Sequence, residues 1–237
     1  MDLDKAPGLD GFTTRFVKTC WQTIKRDLHR MVQHSQKCQK LGGSTNSVFL
    51  ALIPKKNNDT TFNRFHPISL CNIGYNIITK VMANRLREVL PKIIPKNQGG
   101  FIKGRHIQDN IILVQEEIHS SCQRKESGMI VKLDLANAFD RVHRKFLYVV
   151  MAKFGFHIKM ITWVKACISR PWIAPLVNGR STQLFQATRG LRQGYPLSPL
   201  LYAIQASVLS FQLDEGLRQR TLRGLNITPR VKNINHA

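Results

Sequence analysis

Apolar periodicity switches several times along this chain between a spacing of three-to-four and a spacing of two. That alternation restricts it to a fold in which helices and strands share one core. Phe16, Val17, Cys20, Trp21, Ile24, Leu28, Met31 and Val32 fall on one helical face. Thr13 or Thr14 stands ready to cap that helix, and Gly42-Gly43 to end it. The run 47-SVFLALIP-54 reads as a strand, 55-KKNND-59 as a turn and 67-PISLCNI-73 as a second strand. A helix follows over 75–90, closed by Pro91, and a Gly- and Pro-rich connection covers 92–106. The next helix spans 109–125 with Asp109 as its cap, and Gly128 breaks it.

A strand is expected over Met129–Leu135, then helices over 142–154 (capped by Asp140) and 157–169. A hairpin at 172–187 carries Asn178-Gly179 at its tip, and a last helix runs from Leu197 to Leu213. Interleaving of this kind makes the class α+β or α/β, and 237 residues suffice for a sizeable core.

Charge narrows the function. Lys+Arg number 36 against 14 Asp+Glu, a net of +22. A field of that size attracts polyanions, of which nucleic acid is the commonest, although it also serves simply as a solvated surface. The five cysteines are dispersed, with no Cys-x-x-Cys pair, which suits reduced thiols in an intracellular protein and argues against a zinc site. No apolar run is long enough to cross a membrane, no signal peptide opens the chain, and nothing signals an oligomer.

Two stretches carry candidate chemistry. In 130-IVKLDLANAFDRVH-143, Met129, Val131, Leu133 and Leu135 share one expected strand face, and Lys132 and Asp134 share the other. Asp134 thereby stands at a strand exit, either as an oxygen ligand for Mg²⁺ or as a surface ion pair with Lys132. In 189-RGLRQGYPLSPLL-201, a basic loop meets a helix start, where exposed amides can meet phosphate; a plain loop–helix junction reads equally well.

Six segments in order carry a resemblance: 5-KAPGLDGF-12, 52-LIPKK-56, 65-FHPISLCN-72, 80–111, 132-KLDLANAFDRV-142 and 190-GLRQGYPLSPLL-201. Together they resemble the reverse transcriptase of non-LTR (LINE-type) retrotransposons, with the plant branch nearest. The resemblance implies an α+β right-hand polymerase: mostly fingers over about 1–125, and a partial palm on an antiparallel sheet over about 126–237. It implies that Asp134 and the main-chain carbonyl of Leu135 bind catalytic Mg²⁺. It implies that Phe139 excludes a ribose 2′-OH, and that Gln193 and Gly194 touch the incoming nucleotide and template. Lys55, Arg64, Arg189 and Arg192 become candidates for template or triphosphate contacts. The partners implied are an RNA template, a DNA primer and dNTPs, in an intracellular, nuclear setting.

The chain also departs from that pattern. It contains no Asp-Asp pair, so the expected aromatic-Ala-Asp-Asp turn is missing, and the thumb and an upstream endonuclease are not in this sequence. After Asp140 the only acids are Asp214 and Glu215. Two metal ions repel each other and need several anionic ligands, which one Asp does not supply. The expectation is a polymerase-derived domain, incomplete at its C-terminus, with negligible activity of its own. The alternatives are a non-catalytic basic RNA- or DNA-binding module and the unstable product of a decayed reading frame. His66 replaces the Arg usual in the third segment, and Tyr195 an Asp in the sixth; the latter reads as drift, since retroviral relatives tolerate an aromatic there.

Overall fold

The computed structural model describes Leu3, residues 5–56, Thr61, residues 64–125 and residues 127–224. These fall into two compact units. The first comprises residues 1–84 and 138–198, the second residues 85–137 and 199–237.

In the first unit, Thr13 caps α1 (Thr14–Thr19) by accepting a bond from the Phe16 amide at 3.3 Å. The single helix expected there is two. The chain leaves helical geometry at Cys20, and α2 (Trp21–Cys38) restarts and ends at Gln39, which is left-handed at φ 51°. That stop comes before Gly42-Gly43. β1 (Ser47–Pro54) pairs antiparallel with β2 (Phe65–Cys71) and parallel with β3 (Trp172–Val177). β3 also pairs antiparallel with β4 (Arg180–Ser181) and β5 (Phe185–Gln186). The hairpin tip is the expected one: Asn178 and Gly179 are both left-handed, at φ 51° and 76°, which a two-residue primed turn requires. α5 (Arg144–Lys153) and α6 (Ile158–Ile168) precede β3 in the chain and are capped by the side chains of His143 and His157. Asp140 is therefore not the cap of α5. The imidazole nearest the first free amides, at 3.2 Å from the Phe146 nitrogen, takes that place.

All five described strands lie in this unit and make a mixed sheet in the order β2-β1-β3-β4. An antiparallel palm sheet is not among the described residues. Val48, Tyr75, Ile78, Met82, Trp163, Val164, Cys167 and Ala174 are buried here.

α3 (Ile73–Ile93) runs through Asn84 in the first unit and continues in the second. Pro91 lies inside its last turn and does not close it. The helix end is sealed instead by Arg105, whose guanidinium donates to the carbonyls of Pro91, Ile94 and Gln98 at 2.9–3.0 Å, and to that of Pro95. α4 (Ile107–Arg124) has His106 at its N-cap, and Asp109 falls inside its first turn. α7 (Ser198–Arg218) reaches five residues beyond the expected end.

Residues 129–135 form no strand. Met129, Val131, Leu133 and Leu135 are 61–82% exposed, and both faces of the run meet solvent. Period-two spacing favours an extended chain, but a strand exists only where a neighbour takes its amides and carbonyls. No described strand lies in the second unit.

Glu117 is the one buried residue of α4. Its Oε1 has no hydrogen-bond partner, and burial raises the carboxyl above the ordinary Glu value of 4.5. Such a group is favourable below its unfolded pKa and loses that contribution as pH rises through its folded one. Glu117→Gln should therefore stabilise the second unit at pH 7 by about 1 kcal/mol. It should also flatten the fall in stability above pH 4.5. Urea midpoints at a series of pH values check both, and an unchanged pH profile would count against the assignment.

Candidate functional site: the interlocked 139–144 and 187–195 segments

Phe139 and Gln193 lie more than fifty residues apart in sequence, and the first unit laces their two segments together. The Leu191 amide donates to the Phe139 carbonyl at 2.8 Å, and the Gly190 amide to the Val142 carbonyl at 2.9 Å. Gly190 is left-handed at φ 83°, and a Cβ there would lie 2.8 Å from the Asp140 carbonyl oxygen. Only glycine meets both demands. Arg144, 9% exposed, fixes the loop from below. Its Nε, Nη1 and Nη2 donate to the carbonyls of Gly190, Ala187 and Arg189 at 2.8–2.9 Å. Burial lowers its pKa below the ordinary arginine value, and it remains a cation at neutral pH.

At the mouth of this interlock, the Gln193 amide reaches the Asp140 carboxylate at 3.3–3.4 Å. Gly194, left-handed at φ 89°, offers its carbonyl to Lys5 Nζ at 2.8 Å. Lys5 also lies 5.8 Å from the centre of the Tyr195 ring. Tyr195 itself is buried and meets Tyr75 edge-on at 5.1 Å, so an aromatic at this place packs well.

Lys5 arrives on a strap tied down by Gly8 and Asp10. Gly8 touches the backbone of Cys71 and Asn72. The Asp10 carboxylate accepts from the Ile73 amide at 2.7 Å, and Asn72 Oδ1 accepts from the Asp10 amide at 3.1 Å. A carboxylate from 63 residues away thus caps α3.

Arg192 is expected at a template or triphosphate, but its guanidinium is engaged inside the unit. It stacks 4.4 Å from the Tyr75 ring centre, donates to the Asn46 carbonyl at 3.2 Å and to its side-chain oxygen, and approaches Cys71 Sγ at 3.5 Å. Burial pushes the Cys71 thiol up to about 11, with Arg192 pulling the other way. A side chain this occupied braces the fold, and its Nε is buried without a partner. Arg189 is exposed. Lys55 and Arg64 are exposed too, at the two ends of the β1–β2 connection, where the Lys55 amide donates to the Arg64 carbonyl at 2.9 Å. His66 is exposed on β2.

Asp134 and Leu135 belong to the second unit and are both exposed. Among the described residues, no three His, Cys, Asp or Glu side chains converge. Asp140 already holds Gln193, and Asp134 stands on a segment without secondary structure. These donors do not fit a two-metal centre, which needs several convergent carboxylates.

The family profile described as "Reverse transcriptase (RNA-dependent DNA polymerase)" matches residues 53–227. The chain belongs to the reverse transcriptase family. It is 31% identical over 204 residues to the transposon TX1 uncharacterized 149 kDa protein of Xenopus laevis, covering 86% of this chain and 16% of that one. It is 27% identical over 203 residues to the Pol polyprotein of the type-1 retrotransposable element R2 of Nasonia vitripennis, covering 83% and 19%. The probable RNA-directed DNA polymerase from transposon BS of Drosophila melanogaster is 25% identical over 154 residues, covering 59% and 16%. These are non-LTR elements, and the chain is a reverse transcriptase domain of that class. It spans less than a fifth of the length of these relatives.

The motif order found Phe139, Gln193 and Gly194. It passed over Arg144, Lys5, Asp10 and Asn46. Lys5 and Asp10 stood inside a quoted motif, but nothing local distinguishes Arg144.

Proposed function

We propose that this chain supplies fingers and part of a palm to an RNA-directed DNA polymerase acting on an RNA template, a DNA primer and dNTPs. The fingers come mostly from about residues 1–125 and the partial palm from about 126–237. The observation that carries this reading is the interlock of the Phe139 and Gln193 segments, inside the span the reverse transcriptase profile matches. It ties the segment that carries an aromatic to the segment that carries an amide side chain and a glycine turn, within one unit. Those are the groups needed to sense a sugar and hold a base pair. Lys55, Arg64 and Arg189 are exposed cations suited to phosphate.

On its own, the 237-residue chain binds a primer–template and does not extend it: among the described residues no three His, Cys, Asp or Glu side chains gather, and a two-metal centre needs several such ligands. The second reading, a basic binding module without catalysis, rests on the same observation.

Primer extension and binding, run together, test both. Affinity for a primer–template should fall steeply between about 50 and about 200 mM salt, as counterion release demands. No template-dependent product should form with Mg²⁺ and dNTPs. Extension that disappears in Asp134→Ala would overturn the inactivity of this chain, and salt-independent or absent binding would overturn the nucleic-acid reading altogether.

A further inference from the structure

Behind the sheet of the first unit lie two cavities, of about 350 and about 480 Å³, which share Lys40, Leu41 and Gly42. The two adjoin at the turn that follows α2 as a shallow, open trough. Both volumes lie in the range that holds a nucleotide-sized ligand, about 300–1,000 Å³.

No acid lines either cavity. Arg30, Lys40, Lys165 and Arg170 do, all exposed, with His34 beside them. Arg30 lies 3.7 Å from Asp27, in a pair exposed on both sides and so of little weight. Basic residues abound on a chain of +22 and alone would single out nothing. What distinguishes this place is a concave, acid-free wall that also presents an indole: Trp172, 43% exposed, lines the second cavity.

The wall is held in place. Asn46 Nδ2 donates to the Ser169 carbonyl at 2.9 Å, and Tyr148 Oη meets Ser169 Oγ at 3.2 Å. Asn46 in turn receives Arg192. Arg170, the next residue, is left-handed at φ 46°, where glycine would be the unstrained choice.

We infer that this trough binds a segment of single-stranded nucleic acid, with phosphates on Lys40, Lys165, Arg170 and Arg30 and a base stacked on Trp172. Cationic walls that follow a backbone, together with an aromatic platform for bases, are what sequence-tolerant single-strand binding requires. The site is separate from the Phe139–Gln193 interlock. The inference rests on the nucleic-acid-binding half of the proposed function and needs none of its polymerising half.

Binding of a fluorescein-labelled twelve-nucleotide oligo-U or oligo-dT to the full chain tests it, with indole emission read in parallel. The triple variant Lys40→Gln, Lys165→Gln, Arg170→Gln is compared with Lys18→Gln, Lys145→Gln, Lys153→Gln, which removes the same charge from exposed positions elsewhere. Circular dichroism melts show that each variant folds. The first triple should weaken binding about tenfold more than the second, and Trp172→Ala about tenfold by itself. Indole emission should be quenched by the oligonucleotide and not in Trp172→Ala. Equal losses in the two triples, or an unaffected Trp172→Ala, would overturn the site while primer–template binding survives. An inorganic polyphosphate of equal charge binding as tightly as the oligonucleotide would overturn the stacked base. Absence of all binding would remove the nucleic-acid reading as well.

Discussion

Arg144→Met should destabilise the first unit by about 3 kcal/mol, one of the two largest effects expected of any single substitution here. Arg144 joins three carbonyls of the 187–190 segment through charge-assisted bonds of 2.8–2.9 Å, and is itself buried. Methionine keeps much of the stem's packing and none of the donors. It leaves acceptors at Ala187, Arg189 and Gly190 to find water where there is little room, at about 1 kcal/mol each. Arg144→Lys should recover at most a third of the loss, since a single ammonium lacks the planar fork that spans three acceptors. The loss has a local signature. Amide exchange at Gly190 and Leu191, which bond the Val142 and Phe139 carbonyls, should accelerate before that of β1. A urea midpoint shift corresponding to less than about 1 kcal/mol would show that the loop is held by something else.

Gly8→Ala should cost about as much, for a steric reason. A Cβ at residue 8 would lie 2.2 Å from the Cys71 carbonyl carbon and 2.4 Å from the Asn72 nitrogen. Both are backbone atoms at the junction of β2 and α3, and neither can rotate away. The strap must lift, which breaks the Asp10 cap on α3 and withdraws Lys5 from Gly194. Overpacking of this kind costs about 1–3 kcal/mol before the lost cap and ion–carbonyl bond are added. Gly74→Ala provides the contrast. Its Cβ would meet only the movable end of Met31, at 3.2 Å, and it lies in the first turn of α3, where alanine is favoured. Thermal melts should place Gly8→Ala well below the parent and Gly74→Ala level with it or above. The reverse order would mean that the strap is not seated on Cys71.

What was legible in the sequence is what short stretches decide. The existence of α2, α6 and α7 and the Asn178-Gly179 tip are set by spacing and turn chemistry within a few residues. The failures share a cause. Residues 129–135 have the alternation of a strand, but alternation says which side chains share a face and not whether a partner strand exists. Asp109 and Asp140 are good cap residues, yet His106 and His143 stand at the positions where the helices begin. Pro91 removes one donor from a helix end that Arg105 then seals, and the sequence shows the first fact without the second.

The site divides the same way. Phe139 and Gln193 were named because their motifs carry recognisable side chains, and their segments do meet. Arg144 and Lys5 were missed because they act on main-chain carbonyls, which every residue has. Arg192 looked like a phosphate contact in the sequence. Its stacking on Tyr75 depends on two segments more than a hundred residues apart.

The bare 129–135 run gives salt two opposite effects on this molecule. With a net charge of +22, copies repel one another strongly in dilute buffer, and the apolar side chains of Met129 to Leu135 rarely meet. At about 0.1 M salt the repulsion is confined to about 10 Å, and the sticky segment of one copy can reach that of the next. The same ions strip nucleic acid from the basic surface. Bound nucleic acid and self-association therefore occupy opposite ends of the ionic-strength scale, and colloidal stability is greatest where affinity for a polyanion is greatest.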